Sequence, residues 1–229
     1  MAVIRRKFEQ GSALAGESHA AKKGSRLRWK RWVIGLPLGL TVPFALLVRL
    51  STWLYLVKGF NGWIAVGTSA LAAALVLAGV VAVVASKMGA RPGAWIFKAA
   101  VVLLAVYAGY LLVFVSAANV KSPGLRTTYR DLHPVLRLSV STLVLLDRDA
   151  VITDTGRAPE DYARMGLPTA RTSAHYRQSD GYVHAVDLRT RGRGGIRNVA
   201  MQLFFEALGF DTLRHEGTAD HLHVSLALR

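Results

Sequence analysis

A continuous stretch from Trp32 to Ala118 contains no Asp or Glu, and it limits the fold of this chain more than any other feature. Of all residues, 52% are hydrophobic, and the mean hydropathy is positive largely because of this stretch. A helix needs about 20 apolar residues to cross the hydrocarbon core of a bilayer. We therefore predict three transmembrane helices, at about 32–57, 63–86 and 95–118.

The distribution of positive charge predicts the orientation of these helices. Segment 1–31 carries nine Lys and Arg residues against two Glu, which is typical of a basic cytoplasmic tail. Lys87 and Arg91, between the second and third spans, fit the same side. Three crossings then place residues 119–229 on the periplasmic or extracellular side of the cytoplasmic membrane. Because the tail adjoins a membrane segment and not a folded reader module, we expect a lipid bilayer partner and no nucleic acid.

Two features inside the apolar stretch leave their roles open. Arg49 has no acidic partner within the stretch, so it is either a buried functional charge or a side chain that reaches towards an interface or another helix. Small residues at Gly67, Ala70 and Ala74 share one helical face and would allow a neighbouring helix to approach closely.

The remaining residues, 119–229, are enough for one small domain with helices and strands. We predict helices at 132–143, 159–165 and 195–208, and strands at 142–153, 210–214 and 221–228. The helix at 195–208 has an amphipathic pattern. Its expected core residues are Ile196, Val199, Ala200, Leu203, Phe204 and Leu208. In the last strand, alternation points His221 and His223 to one face and the intervening apolar residues to the core.

Histidine is concentrated near the C-terminus, where five of the seven His residues follow residue 171. The chain contains no Cys, so disulfides and thiolate ligands are excluded. A zinc site in this region must therefore combine imidazoles with a carboxylate, and such sites often keep one position open for water.

Four segments of this region resemble, in the same order, hedgehog signalling domains and the related bacterial D-alanyl-D-alanine metallopeptidases. They are residues 173–176, 185–188, 200–211, and Glu216 together with 221–225. The resemblance covers about residues 125–229 and implies a small α+β domain with an antiparallel sheet that binds Zn²⁺. It implies that His175, Asp187 and His223 are the zinc ligands, that Glu216 is the catalytic acid/base, and that His221 stabilises the transition state.

The sequence departs from this family pattern in two places. Eleven residues separate His175 from Asp187, more than the family interval, and the excess lies within 177–184. This insertion leaves His184 as an alternative ligand, although His175 keeps the Ser-x-His-Tyr context. Glu216 is also one residue farther from the His-x-His pair than in hedgehog domains.

Together these observations predict a membrane-anchored zinc metallopeptidase that hydrolyses cell-wall peptides. Arg157, Arg171 and Arg177 can each bind a substrate carboxylate through the guanidinium fork, and we select Arg157. One alternative is a non-catalytic, zinc-stabilised binding domain on a membrane anchor. Another is a membrane assembly subunit or channel component whose three spans carry the function.

Overall fold

The computed structural model of the chain describes residues 41–164, 166, 168, 172–217 and 220–227. The chain divides into two compact units, Met1–Val42 and Pro43–Arg229, and nearly all described residues belong to the second. The described helices are α1 (Thr41–Leu56), α2 (Gly62–Lys87), α3 (Ala94–Val113), α4 (Gly124–Thr128), α5 (Pro134–Leu146), α6 (Pro159–Arg164) and α7 (Gly195–Leu208). The strands are β1 (Ile152–Asp154), β2 (Ala185–Arg189), β3 (Asp211–His215) and β4 (His221–Ser225).

Two of the described helices, α2 and α3, are long and apolar enough to cross a membrane. They occupy most of the spans predicted at 63–86 and 95–118, although α3 ends at Val113. The span predicted at 32–57 is described only from residue 41, where α1 is an apolar helix. Residues 32–40 and the basic tail lie outside the described residues, so the first span, predicted at 32–57, and the orientation stay predictions.

The C-terminal residues form a mixed structure of helices and one four-stranded sheet, as the sequence predicts in outline. The strand order is β1-β2-β4-β3, and every neighbouring pair is antiparallel. One side of the sheet is covered by buried apolar side chains, including Val186, Leu188, Leu222 and Val224. The central pair, β2 and β4, is thus fixed between a packed core and a face that is open for polar side chains.

Helix α5 corrects the strand predicted at 142–153. Residues 142–146 continue the helix, and only Ile152–Asp154 forms a strand. Pro134 occupies the first turn, where its missing N–H costs nothing, and His133 caps the helix. By periodicity alone, the run of Leu and Val at 143–146 fits either a helix or a strand. It forms a helix because it continues the hydrogen-bonded turns of the residues before it.

Side chains of α5 join the sheet-containing part of the chain to the end of α3. Arg137 Nη1 donates to Leu112 O at 3.0 Å, and Ser141 Oγ donates to Leu111 O at 2.9 Å. The last carbonyls of a helix have no partner within it, so these two bonds satisfy groups that α3 leaves open. These hydrogen bonds join α5 to the end of α3. The apolar helices and the sheet also share one hydrophobic core within Pro43–Arg229.

The predicted core face of α7 is wrong for most of its residues. The buried apolar residues are Met201, Phe205 and Leu208. Of the predicted core residues, Ile196, Val199, Ala200 and Leu203 are exposed, Phe204 is half-buried, and Leu208 alone is buried. Helix α7 is apolar on two faces, and periodicity could not tell which of them packs on the sheet.

Arg49 lies against the end of α7. A Cβ added to Gly209, the residue that ends the helix with a left-handed φ of 92°, would lie 2.8 Å from Arg49 Nη1. The C-terminal end of a helix carries partial negative charge, which favours a nearby guanidinium. Arg49 therefore faces another helix, which agrees with one of the two roles that the sequence left open.

Candidate metal centre

Strands β2 and β4 bring a carboxylate and two imidazoles to one face of the sheet. Asp187 is the direct cross-strand partner of His223, so their side chains share a face. His221, two residues earlier in β4, lies on that face as well. Leu222 and Val224 point to the opposite face and are buried, so the alternation predicted for this strand is confirmed.

His175 approaches the same face from the segment between α6 and β2. Its Nε2 lies 3.3 Å from Asp187 Oδ1 and 3.2 Å from His223 Nδ1. The remaining pair, His223 Nδ1 and Asp187 Oδ1, is 2.9 Å apart. Ligands about 2.0–2.1 Å from a tetrahedral zinc ion are roughly 3.3 Å from one another, so these separations suit a metal-binding triad.

The triad is buried on one side and accessible on the other. His175 and Asp187 are 3% and 2% exposed, whereas the side chain of His223 is 22% exposed. A bound ion would therefore be held by buried ligands and could be reached past His223. This is the arrangement needed if one coordination position is to stay available to water or substrate.

The orientation of His175 is fixed by a backbone carbonyl. Its Nδ1 lies 2.5 Å from Thr155 O, and an Nδ1–H group donates to that oxygen. The proton on Nδ1 leaves the Nε2 lone pair directed at Asp187 and His223. Metal-binding His residues commonly use such an acceptor to fix the tautomer and the ring plane.

Arg157 holds the second carboxylate oxygen of Asp187. Its Nη2 donates to Asp187 Oδ2 at 2.7 Å, and its Nε donates to Asp154 Oδ2 at 2.6 Å. Burial opposes ionisation of Asp187, but the adjacent imidazoles of His175 and His223 outweigh it and hold the pKa of Asp187 well below its usual range. Asp187 therefore stays a carboxylate throughout the range in which imidazoles bind metals.

Two further His residues lie beside the triad at the hairpin formed by β3 and β4. His221 Nε2 is 3.6 Å from Asp187 Oδ2. His215, its cross-strand partner, stacks on it with ring centroids 4.7 Å apart and lies 6.5 Å from the His223 ring. Burial and the neighbouring His221 and His223 lower the pKa of His215. A neutral His215 limits the positive charge around the triad.

Glu216 follows β3 directly and is exposed. Among the described residues, no hydrogen bond or ion pair joins it to the triad, and residues 218 and 219 beyond it lie outside the description. Its predicted role as the catalytic acid/base stays a prediction, as does the role predicted for His221.

The structure contains a second group of potential metal ligands, formed by His133, Asp180 and His184. His184 Nε2 lies 2.9 Å from Asp180 Oδ2, and His133 Nε2 lies 3.8 Å from the same oxygen. His184, the alternative ligand left open by the sequence, is therefore placed in this group and not with Asp187 and His223.

Ring tautomers distinguish the two groups. His133 Nδ1 accepts a hydrogen bond from Val135 N at 3.3 Å, which puts the ring proton on Nε2, the atom that faces Asp180. His184 Nδ1 is buried and has no hydrogen-bond partner among the described residues. The Nδ1 atom of His133 is an acceptor and not, as in His175, a donor to a carbonyl, so the second group is better suited to hydrogen bonding than to holding a metal.

The second group lies where the sheet-containing part meets the apolar helices. Tyr55 of α1 contacts Asp180 at 3.4 Å, and Trp63 of α2 donates to Tyr182 at 2.8 Å. The rings of Tyr55 and His133 are 4.2 Å apart. These polar contacts attach the turn between α1 and α2 to the loop before β2.

Several contributions to the site were missed at the level of sequence. Asp154 and Thr155 act at the end of β1, and His215 lies beside His221, yet none belongs to a recognisable motif. Arg157 was selected as a substrate ligand, whereas the structure shows it bound to two carboxylates. Of the other arginines considered, Arg177 pairs with Asp131 at 2.8 Å, and Arg171 lies outside the described residues.

Comparisons with protein-family models, with curated proteins and with solved structures found no match to this chain. The likeness to hedgehog domains and D-alanyl-D-alanine metallopeptidases therefore depends on the order of the four segments from Ser173 to Ser225. The geometry of the triad is an observation independent of that likeness.

Proposed function

We propose that this chain is a membrane-attached, metal-dependent hydrolase. The observation that carries the proposal is the convergence of His175, Asp187 and His223, with all three pairs of donor atoms 2.9–3.3 Å apart. Two further contacts support the proposal. Thr155 O fixes the tautomer of His175, and Arg157 binds Oδ2 of Asp187, the carboxylate oxygen that does not face the two imidazoles. The three donor atoms lie close enough to one another to bind a single ion.

Within that class, we propose a zinc peptidase of the D-alanyl-D-alanine type that acts on cell-wall peptides. Two neutral imidazoles and one carboxylate suit Zn²⁺ and leave it a net positive charge. The order of Ser173, His175, Asp187, Glu216 and His223 supports the peptidase class, because it is the order found in that family. The bond that is cut would then be a peptide bond near a terminal carboxylate.

The residues of the chain divide the proposed chemistry between them. His175, Asp187 and His223 would hold Zn²⁺, which would act there as a Lewis acid and lower the pKa of a neighbouring water molecule. Glu216 takes up a proton from the attacking water and returns it to the leaving amine. His221 donates a hydrogen bond to the oxygen that becomes negative in the transition state. Arg157 keeps Asp187 in place and prevents its second oxygen from turning away.

The two apolar helices support membrane attachment, and the charge pattern supports an outward-facing sheet domain. The ends of α1 and α3 and the start of α2 all contact α5 or the loop before β2, so the sheet lies at one end of this group of helices. A reporter active only outside the cytoplasm, fused after Arg229, should be active. An active cytoplasmic reporter at the same position would contradict the proposed location.

Metal binding can be tested with a pair of His variants that the sequence itself offers. His175→Ala should abolish stoichiometric zinc binding by the purified full-length chain, because it removes a ligand. His184→Ala removes a buried His of the second group and should leave zinc binding intact. Circular dichroism of both variants shows whether each is folded. Zinc retained by His175→Ala and lost by His184→Ala would reverse the assignment.

A non-catalytic, zinc-stabilised binding domain remains the second candidate, because Glu216 is exposed and has no described contact with the triad. Glu216→Gln separates the two functions. For an enzyme, hydrolysis of cell-wall peptides ending in D-alanyl-D-alanine should be lost while zinc content is unchanged. Unchanged turnover would remove Glu216 from the mechanism. Peptide binding without turnover in the unmodified chain would favour the binding domain.

A further inference from the structure

Helix α7 presents a continuous apolar stripe to its surroundings. The stripe consists of Ile196, Val199, Ala200, Leu203 and Ala207, which recur at the spacing of one helical face. Ile196 is 89% exposed, and Val199 and Leu203 are 56% and 57% exposed. The opposite face is already packed against the sheet through Met201, Phe205 and Leu208. The helix therefore has a second apolar face that the fold of the described residues does not use.

The start of α7 is attached to the end of α5. Arg193 and Arg197 both donate to the carboxylate of Asp147, which follows α5 directly. The last residues of α5, Leu145 and Leu146, are themselves 47% and 73% exposed. Leu145 shares a cavity with Tyr110 and Phe114, which are exposed residues near the end of α3. The apolar stripe thus begins beside apolar surface that continues onto α3.

The end of α7 is attached to α1. A Cβ at Gly209 would meet Arg49 at 2.8 Å and Thr52 at 3.4 Å. Both residues precede Leu56, the end of α1, by one to two turns, which corresponds to about 6–10 Å along the helix axis. The C-terminal end of α7 therefore lies beside α1, one to two turns before the end of that helix, which is the depth of a bilayer interface if the apolar helices cross a membrane.

We propose that α7 is an interfacial helix whose stripe inserts into the surface of an anionic bilayer. Interfacial helices combine an apolar face with basic residues that contact lipid headgroups. Here Arg189, the last residue of β2, and Arg191, in the turn that leads into α7, are both exposed. Arginine next to an apolar face matches phosphate-containing anionic lipids by charge and by hydrogen-bond geometry.

Insertion of α7 would place the metal centre at the membrane surface. Strand β3 follows α7 after Gly209 and Phe210, and His215 and Glu216 lie at the far end of that strand. The triad would then meet substrates that are themselves close to the bilayer. This inference rests on membrane attachment through α2 and α3, but it does not depend on the metal or on catalysis.

The chain contains no Cys, so single spin labels can be attached to the full-length protein at chosen positions. Val199→Cys places a label on the stripe. Glu206→Cys places one on an exposed polar position of the same helix. Leu75→Cys, at a residue of α2 that is 57% exposed, is the control for membrane insertion. The variants are reconstituted into vesicles of phosphatidylethanolamine and phosphatidylglycerol, and collisions with oxygen and with a water-soluble nickel complex are measured.

The labels at 199 and 75 should collide more often with oxygen than with the nickel complex. The label at 206 should collide more often with the nickel complex than with oxygen. If the label at 199 is as accessible to nickel as the label at 206 while the label at 75 lies in lipid, the insertion of α7 is wrong. Membrane attachment through α2 would still hold. A label at 75 that is accessible to nickel would overturn membrane attachment as well. Protection of 199 from both reagents would show that protein covers the stripe and would also contradict the inference.

The requirement for anionic lipid is tested in the same system. The ratio of oxygen collisions to nickel collisions for the label at 199 should fall in vesicles of phosphatidylcholine alone. It should also fall in anionic vesicles when the protein carries Arg189→Gln and Arg191→Gln. The ratio at 75 should not change in either case. An unchanged ratio at 199 in both cases would overturn the role of the arginines and of anionic lipid.

Discussion

At the scale of single residues, the candidate metal centre depends on groups that orient its potential ligands. Asp187 and His223 are placed by the register of two strands, but neither strand sets the rotation of a ring or a carboxylate. The carbonyl of Thr155 sets the ring of His175, and Arg157 sets the carboxylate of Asp187. These two contacts orient Nε2 of His175 and Oδ1 of Asp187 towards each other and towards His223.

Arg157 should affect metal affinity more than substrate affinity. Arg157→Ala removes the partner of the second oxygen of Asp187 and should weaken zinc binding by about 10–100-fold, the usual effect of losing a group that orients a ligand. Zinc affinity is measured by competition with a chromophoric chelator. Arg177→Ala is the control, since Arg177 is an exposed arginine paired with Asp131 away from the triad. Unchanged zinc affinity in Arg157→Ala, with a raised KM, would instead support the role first predicted from the sequence.

Asp147 should make stability depend on pH in the acid range. Burial opposes ionisation of Asp147, but the hydrogen bond and charge of Arg193 outweigh it and lower the pKa of Asp147 below its usual value of 3.8. Asp147→Asn should lower the free energy of unfolding at pH 7 by about 2 kcal/mol, as for a hydrogen bond to a charged group. Because the folded pKa is depressed, this difference is fully present above pH 3.8 and disappears as the pH falls through the folded pKa.

Unfolding of the two proteins in detergent, followed from pH 7 to pH 2, measures this difference. Asp149→Asn is the control, because the side chain of Asp149 is 68% exposed and its ion pair with Arg197 should contribute little. A difference that persists unchanged at the acid end would contradict the assigned ion pairs.

Part of the site could be predicted at this scale, and the reason is local. Alternation in β4 and the order of residues indicated which His and Asp residues would approach one another. The contact of Arg157 with Asp187 could not be predicted, because it joins residues 30 positions apart that the pairing of β1 with β2 brings together. The stacking of His215 on His221 depends on the register of β3 against β4. His184 instead pairs with Asp180, four residues earlier in the chain, and belongs to the second group.

At the scale of elements, helix boundaries followed the sequence closely, whereas packing did not. Helix α7 begins and ends where its glycines predict, at Gly195 and before Gly209. The face that packs on the sheet was misidentified because apolar residues cover most of the helix circumference. The strand predicted from Thr142 was wrong, and residues 142–146 belong to α5. The prediction failed because a short apolar run has no period that distinguishes a helix from a strand.

The contact between α2 and α5 gives a sharp test of how the apolar helices meet the sheet domain. Gly62→Ala would place a Cβ 2.5 Å from Nε2 of the buried His133, so the ring must shift. Overpacking of this kind typically costs about 1–3 kcal/mol. Gly67→Ala, on the same helix, has nothing within 4 Å of its Cβ and should leave stability unchanged or slightly higher.

Thermal unfolding of both glycine variants in the same detergent measures the difference. Destabilisation confined to Gly62→Ala would support the close approach of α2 to His133. Equal stability of the two variants would show that the turn between α1 and α2 does not pack on the second His group.

At the scale of the whole molecule, apolar helices and sheet share one core within Pro43–Arg229. Helix α5 contacts α3 through Arg137 and Ser141, and the second His group contacts α1 and α2. The sequence indicated two consecutive regions, an anchor followed by a domain, because hydropathy changes sharply near residue 119. It could not indicate how the regions pack, since the joining contacts are made by single polar side chains in apolar segments.

The central claim is that one zinc ion is held by His175, Asp187 and His223. X-ray absorption at the zinc edge, on the zinc-loaded full-length chain, tests it most directly together with metal analysis of the same sample. We expect one zinc per chain, with two imidazole nitrogens among its nitrogen and oxygen ligands at about 2.0–2.1 Å. We also expect loss of that zinc in Asp187→Ala and in His223→Ala. A chain that binds no zinc, or that keeps the same spectrum in both variants, would contradict the claim.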